Sequence, residues 1–191
     1  LTESPALLPA PRLLPVLPVI MDDQRYLISG GMGSGKTNLL RWIAYEKNRV
    51  SKVLVIDTHA APGLWPIDPL AVLGRGRNWP AVELALQNLL GIMDRRYKDI
   101  DAGTVGYRGH ETITVIADEW TMIPQMIGQD IIKAYTKPVL VESRKAGIDF
   151  VLATHDTTVE SLGIKGMGGL RNAFDWIVET QKRDGQYICK V

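Results

Sequence analysis

Gly30-Gly31-Met32-Gly33-Ser34-Gly35-Lys36-Thr37 decides the fold. The stretch satisfies G-x-x-x-x-G-K-[ST], a phosphate-binding loop set between a strand and a helix. Such a loop must turn successive backbone N–H groups inward toward phosphate oxygens, and glycines permit this because they carry no Cβ. Lys36 then brings an ammonium to the β- and γ-phosphates, and the Thr37 hydroxyl becomes a Mg²⁺ ligand. A helix starting at the loop adds unpaired N–H groups and the positive end of its dipole. The expected nucleotide contacts are Gly30, Gly31, Met32, Gly33, Ser34, Gly35, Lys36, Thr37 and Asn38. The setting agrees with the motif. Arg25 to Ser29 reads as a short strand, and the apolar residues Leu39, Leu40 and Ile43 recur as one buried helical face does.

Outward from the loop, 191 residues suit one α/β domain with a sizeable core. Charged residues make up 23% and the net charge is +1, which weakens the case for static, charge-driven binding of DNA but not for transient gripping by a few loop residues. The single cysteine, Cys189, excludes an internal disulfide. No uninterrupted apolar run reaches the length of a membrane span. Leu1 to Ile20 contains five prolines among leucines and valines, a composition that cannot hold a helix. This segment is expected to be an extended strap or linker arriving from an upstream region, with residues 21–191 forming the core. Because the first residue is not Met, the chain is expected to be a fragment of a longer protein.

Ser51 to Asp57 is a β-branched run ending in an acid, as a strand buried on both faces reads. Thr58 to Arg77 holds three prolines and three glycines and is expected to be a loop with little regular structure. Asn78 is a helix cap with Pro80 in the first turn. Val82, Leu86, Leu89, Leu90, Met93 and Tyr97 then carry a helix to Lys98, and Asp101 to Glu111 is a loop. Thr112 to Glu119 is a second buried strand. A short helix is expected over Asp130 to Lys137 and another, opened by Pro138, over Val139 to Ala146, with Gly147 as its stop. Phe150 to Thr154 is the next strand, and Thr157 to Glu160 fits a capping box. Asp184-Gly185 is a hairpin turn between strands within Phe174 to Glu179 and Gln186 to Val191. The alternation argues for a mostly parallel sheet flanked by helices, closed by an antiparallel hairpin.

Asp118 and Glu119 end their strand at its C-terminal edge, where open α/β sheets bind ligands. Asp118 is expected to hold Mg²⁺, and Glu119 to polarise the water that attacks the γ-phosphate. His155 follows the next strand and is a candidate reporter of the γ-phosphate. His59 and His110 have weaker claims, and three dispersed histidines with one cysteine make no zinc site.

With these residues in hand, Gly30 to Thr37, Asp57, Ile113 to Glu119 and especially Glu142-Ser143-Arg144-Lys145-Ala146-Gly147-Ile148-Asp149-Phe150-Val151-Leu152-Ala153-Thr154-His155 resemble the HerA/FtsK superfamily of motor ATPases. The likeness runs from about Tyr26 to Glu179, and its specific part is the Ser-Arg-Lys-Ala-Gly-Ile…Ala-Thr stretch. It implies a RecA-like core that binds ATP and Mg²⁺, with Asp118 as metal ligand and Glu119 as catalytic base. His155 stands where the family has a sensor glutamine, a departure that makes its charge depend on pH. The family also uses an arginine that reaches a neighbouring subunit's site, for which Arg144 is the first candidate and Arg171 the second. FtsK motors carry an additional domain beside the ATPase core and a C-terminal DNA-reading module, and these 191 residues are expected to be a compact core or a truncated piece without them. The resemblance implies a cytoplasmic, homohexameric ring that moves double-stranded DNA, with a membrane or regulatory segment upstream. Gly103 to His110 (with Tyr107 and Arg108), Gly163 to Gly169 (with Lys165), and Arg75 with Arg77 are the candidate gripping loops. A secretion-type ATPase acting on polypeptide and a non-motor nucleotide switch are the alternatives.

Overall fold

The computed structural model describes residues 25–155, 173–183 and 185–190, apart from the side chains of 136 and 187. The linker over Leu1 to Ile20, the capping box at Thr157 to Glu160, the loop with Lys165, and Arg171 lie outside the described residues. So does Asp184 of the hairpin turn.

Seven strands form one sheet in the order β3-β2-β4-β5-β1-β6-β7. These are β1 (Arg25–Ser29), β2 (Lys52–Ile56), β3 (Val72–Leu73), β4 (Ile113–Ala117), β5 (Ile148–Thr154), β6 (Trp176–Arg183) and β7 (Gln186–Lys190). All neighbouring pairs are parallel except β6 with β7, which form the expected antiparallel hairpin. The central strands are near-continuous apolar runs because both faces are covered. Their alternation sorts the core into two layers. Leu27, Val115, Ala117, Phe150 and Leu152 point to one face with Val82, Leu86, Leu89 and Met93 of helix α2 (Trp79–Asp101). Tyr26, Ile28, Ile116, Val151 and Ala153 point to the other, where they meet Leu40, Ile43 and Ala44 of helix α1 (Lys36–Lys47). The cap on α2 is as the sequence indicates: the Asn78 side chain accepts from the Ala81 N–H, with Pro80 in the first turn.

Four local expectations need correction. The segment after β2 is not structureless: a 3₁₀ turn at Pro69–Ala71 leads into β3, which pairs with Val55 and Ile56 at the sheet edge. Two residues are too few to show an alternating pattern. A short helix α3 (Met122–Ile127) follows β4, where no helix was expected, and Pro124 within its first turn is compatible with it. The two helices expected around Pro138 are one continuous stretch: α4 (Gln129–Ile131), a π-helical turn (Ile132–Thr136) and α5 (Lys137–Glu142). Pro138 offers no N–H to the carbonyl four residues back, and the wider turn before it absorbs the mismatch. Helix α5 also ends at Glu142, before the expected Ala146. Gly147 instead closes the turn that follows the helix: Ile148 N–H bonds the Ser143 carbonyl, Gly147 N–H bonds that of Arg144, and Gly147 has φ +69°. Those are the two bonds and the left-handed residue of a Schellman turn.

Candidate nucleotide-binding site

Strand register gathers the site. Ser29 is level with Thr154, Ala117 with Leu152 and Ile56 with Ala117. The segments leaving β1, β5, β4 and β2 therefore emerge side by side at one edge. They carry Gly30, His155, Asp118 with Glu119, and Asp57 with His59, respectively.

The loop after β1 is held from below. Thr180 of β6 donates to the Ser29 carbonyl at 3.1 Å, and its hydroxyl lies 2.7 Å from that of Ser34. A Cβ on Gly30 would collide with the Thr180 hydroxyl and carbonyl and with the Ser34 hydroxyl, so only glycine fits there. Gly35 takes the left-handed conformation, φ +94°, at the cap of α1. Met32 through Asn38, with Asp118, Glu119 and His155, line a cavity of about 300 Å³. Gly30 and Gly31 line an adjoining cavity of about 270 Å³, whose wall His155 shares. Every cofactor contact expected from the sequence thus faces one of two neighbouring cavities, and His155 belongs to both.

Lys36, only 8% exposed, donates from Nζ to the carbonyls of Gly30 (2.6 Å) and Gly31 (3.1 Å). Burial pushes its ammonium below the ordinary lysine value, and the carboxylates of Asp118 and Glu119 draw it partly back. Thr37 Oγ1 donates to Asp118 Oδ2 at 2.6 Å, while the Glu119 N–H donates to Asp118 Oδ1 at 2.9 Å. The two expected metal ligands are therefore already together. A hydroxyl and a carboxylate are hard oxygen donors, and they fit Mg²⁺, which takes one or two carboxylates plus phosphate oxygens and water.

Burial raises the Asp118 carboxyl above its ordinary value, and nearby Asp57 and Glu119 add to this against the hydrogen bonds from Thr37 and the Glu119 N–H. The folded chain holds this proton to higher pH than the unfolded one, so its stability falls as pH rises from the ordinary aspartate value through the raised one. Asp118→Asn should therefore unfold at a higher temperature than the parent at neutral pH without nucleotide. It should also lose the Mg²⁺-dependent part of ATP affinity, by about tenfold or more. Thermal melts with and without Mg²⁺-ATP check both halves, and an unchanged Mg²⁺ response would remove Asp118 as the ligand.

Glu119 adopts φ +50°, unusual for a residue with a side chain. Its Oε2 lies 3.2 Å from His59 Nδ1. His59 is the residue that sequence reasoning undervalued, and Thr180 it did not name at all. Both act across strand neighbours, β2 beside β4 and β6 beside β1, and strand order is not written in local pattern.

Arg144 is not brought to this edge. It lies exposed in the turn before β5, at the opposite end of the strands. That turn is firmly held. Buried Arg96 donates to the carbonyls of Ala146, Gly147 and Glu111. Arg108 donates to Asp149 through its two terminal guanidinium nitrogens and also to the Arg144 carbonyl, and the Tyr97 hydroxyl donates to the Glu142 carbonyl. Arg108 is thus committed within the fold, whereas Tyr107 is 66% exposed with the Lys145 ammonium 4.8 Å from its ring centre.

No family profile and no curated protein matches the chain. Solved structures do, among them two that match over more than four-fifths of this chain. One is the pCW3 conjugation coupling protein TcpA in its monomer form with ATPgS, with a TM-score of 0.59 at 17% identity over 85% of this chain. The fold is that of the P-loop ATPases. The other is the cytoplasmic domain of the Thermomonospora curvata type VII secretion ATPase EccC, with a TM-score of 0.57 at 14% identity over 83% of this chain. The chain spans 49% of the first protein and 19% of the second. The α/β P-loop architecture read from the sequence, with its mostly parallel sheet and final hairpin, is accordingly the observed one.

Proposed function

We propose that the chain is the ATP-hydrolysing core of a ring-forming motor that drives double-stranded DNA through its centre. The observation that carries the reading is the meeting of Lys36, Thr37, Asp118, Glu119 and His155 around one cavity. Lys36 exchanges the Gly30 and Gly31 carbonyls for β- and γ-phosphate oxygens, and the loop amides take the rest of the triphosphate. Thr37 and Asp118 would hold Mg²⁺, whose charge would offset that of the phosphates. Glu119 accepts the proton of the water that attacks the γ-phosphorus, so that the products are ADP and inorganic phosphate. His155, just past the strand that lies between those of the loop and the acids, donates a hydrogen bond to the terminal phosphate. Arg144, at the opposite end of the strands from its own cavity, serves the site of the next copy in a hexameric ring. A cytoplasmic location, where ATP is supplied, belongs to the same proposal.

A secretion-type ATPase that acts on polypeptide is the second reading, favoured by the likeness to the EccC domain. Hydrolysis rates with duplex DNA and with peptide separate the two. Stimulation by duplex DNA supports the motor on DNA, stimulation by peptide alone supports the second reading, and a rate indifferent to both opposes each.

Lys36→Ala tests the phosphate contacts. A hydrogen bond to a charged group contributes about 1.5–3 kcal/mol, so ATP affinity should weaken by about 10- to 100-fold. Calorimetry measures this directly, and an affinity equal to the parent's would take Lys36 out of the site.

A further inference from the structure

The segment after β2 is built around one acid. Asp57, 5% exposed, accepts from Trp65 Nε1 at one carboxylate oxygen and from the His59 N–H at the other, both at 2.9 Å. Trp65 is itself buried. These two bonds fix the backbone of His59 at the level where Glu119 leaves β4, because Ile56 pairs with Ala117. The imidazole then reaches Glu119 Oε2 through Nδ1, with the Thr58 hydroxyl 3.3 Å from the same nitrogen.

We infer that His59 is a positioning residue for the hydrolytic base, and that Trp65 and Asp57 hold it in place; this rests on the reading of Glu119 as that base. A glutamate side chain turns about three bonds, and an unanchored carboxylate spends most of its time away from any one geometry. His59 binds Oε2 and leaves Oε1 to the water. A base oriented by a third group is the logic of catalytic triads, carried here by a neighbouring strand end. The left-handed backbone of Glu119 is the other half of the arrangement, since it sets the direction in which the side chain leaves.

The contact does little for the fold. Both side chains are about half exposed, 51% and 43%, and pairs so exposed add almost nothing to stability. The effect of losing His59 should therefore be seen in turnover, not in melting. His59→Ala should lower kcat by about tenfold, with the KM for ATP and the Tm unchanged. His59→Asn, whose side-chain amide can still donate to Oε2, should recover most of the loss. In the Glu119→Gln background His59→Ala should cost nothing further, because two groups acting as a unit are non-additive.

An unchanged or higher kcat in His59→Ala would overturn the inference. So would a loss of the same size with Glu119 already removed, since His59 would then act without it. If Glu119→Gln alone kept the parent's turnover, the base assignment would fail first and this inference with it.

Discussion

Glu119→Gln should bind Mg²⁺-ATP as the parent does and hydrolyse it about 10²- to 10⁴-fold more slowly. The amide matches the carboxylate in shape and keeps one oxygen for a donor, but it cannot take a proton at neutral pH. Glu119 supplies only its backbone N–H to Asp118, so the metal ligands and the loop are left as they are. A binding isotherm and a phosphate-release assay on the same preparation measure the two quantities. Loss of affinity in step with loss of rate would mean that Glu119 belongs to the binding machinery and that the base lies elsewhere.

Arg144→Ala should have the second large effect. An arginine that meets transition-state charge contributes about 10³- to 10⁵-fold in rate, and ATP affinity should be nearly untouched because the residue is remote from its own cavity. The two variants together form a stronger test than either alone. Mixed in one assembly, an Arg144→Ala subunit retains Glu119, and a neighbouring Glu119→Gln subunit retains Arg144. Their shared site is complete, so activity should reappear, peaking at intermediate ratios. No recovery at any ratio would contradict a site shared between copies. Arg96 and Arg108 hold the backbone of the Arg144 turn in place.

The phosphate loop, both acids and the central strands were legible because each is a local pattern. A glycine run needs the turn it makes, and a doubly buried strand reads as unbroken Val, Ile and Leu. The hairpin was legible for the same reason, from Asp184-Gly185 between strand-like runs. The edge strand Val72–Leu73 was not, since it owes its pairing to β2 rather than to its own composition. In α2 the apolar series led to Tyr97, yet the residue buried on that turn is Arg96, whose guanidinium is satisfied by three carbonyls. A charged residue with such partners is invisible to a hydrophobic pattern. His59 drew only a weak claim and Thr180 none for a related reason. Each matters through a partner about 60 or about 150 positions away, and only the order of strands brings the pair together.

The central claim is that one cavity holds a triphosphate and presents its end to Glu119. The most direct measurement is a crystal structure with Mg²⁺ and a non-hydrolysable ATP analogue. The account predicts loop amides and Lys36 on the β- and γ-phosphates, the metal on Thr37 and Asp118, and an ordered water between Glu119 and the γ-phosphorus. An analogue bound away from the loop, or a γ-phosphate that Glu119 cannot reach even through one water, would contradict it.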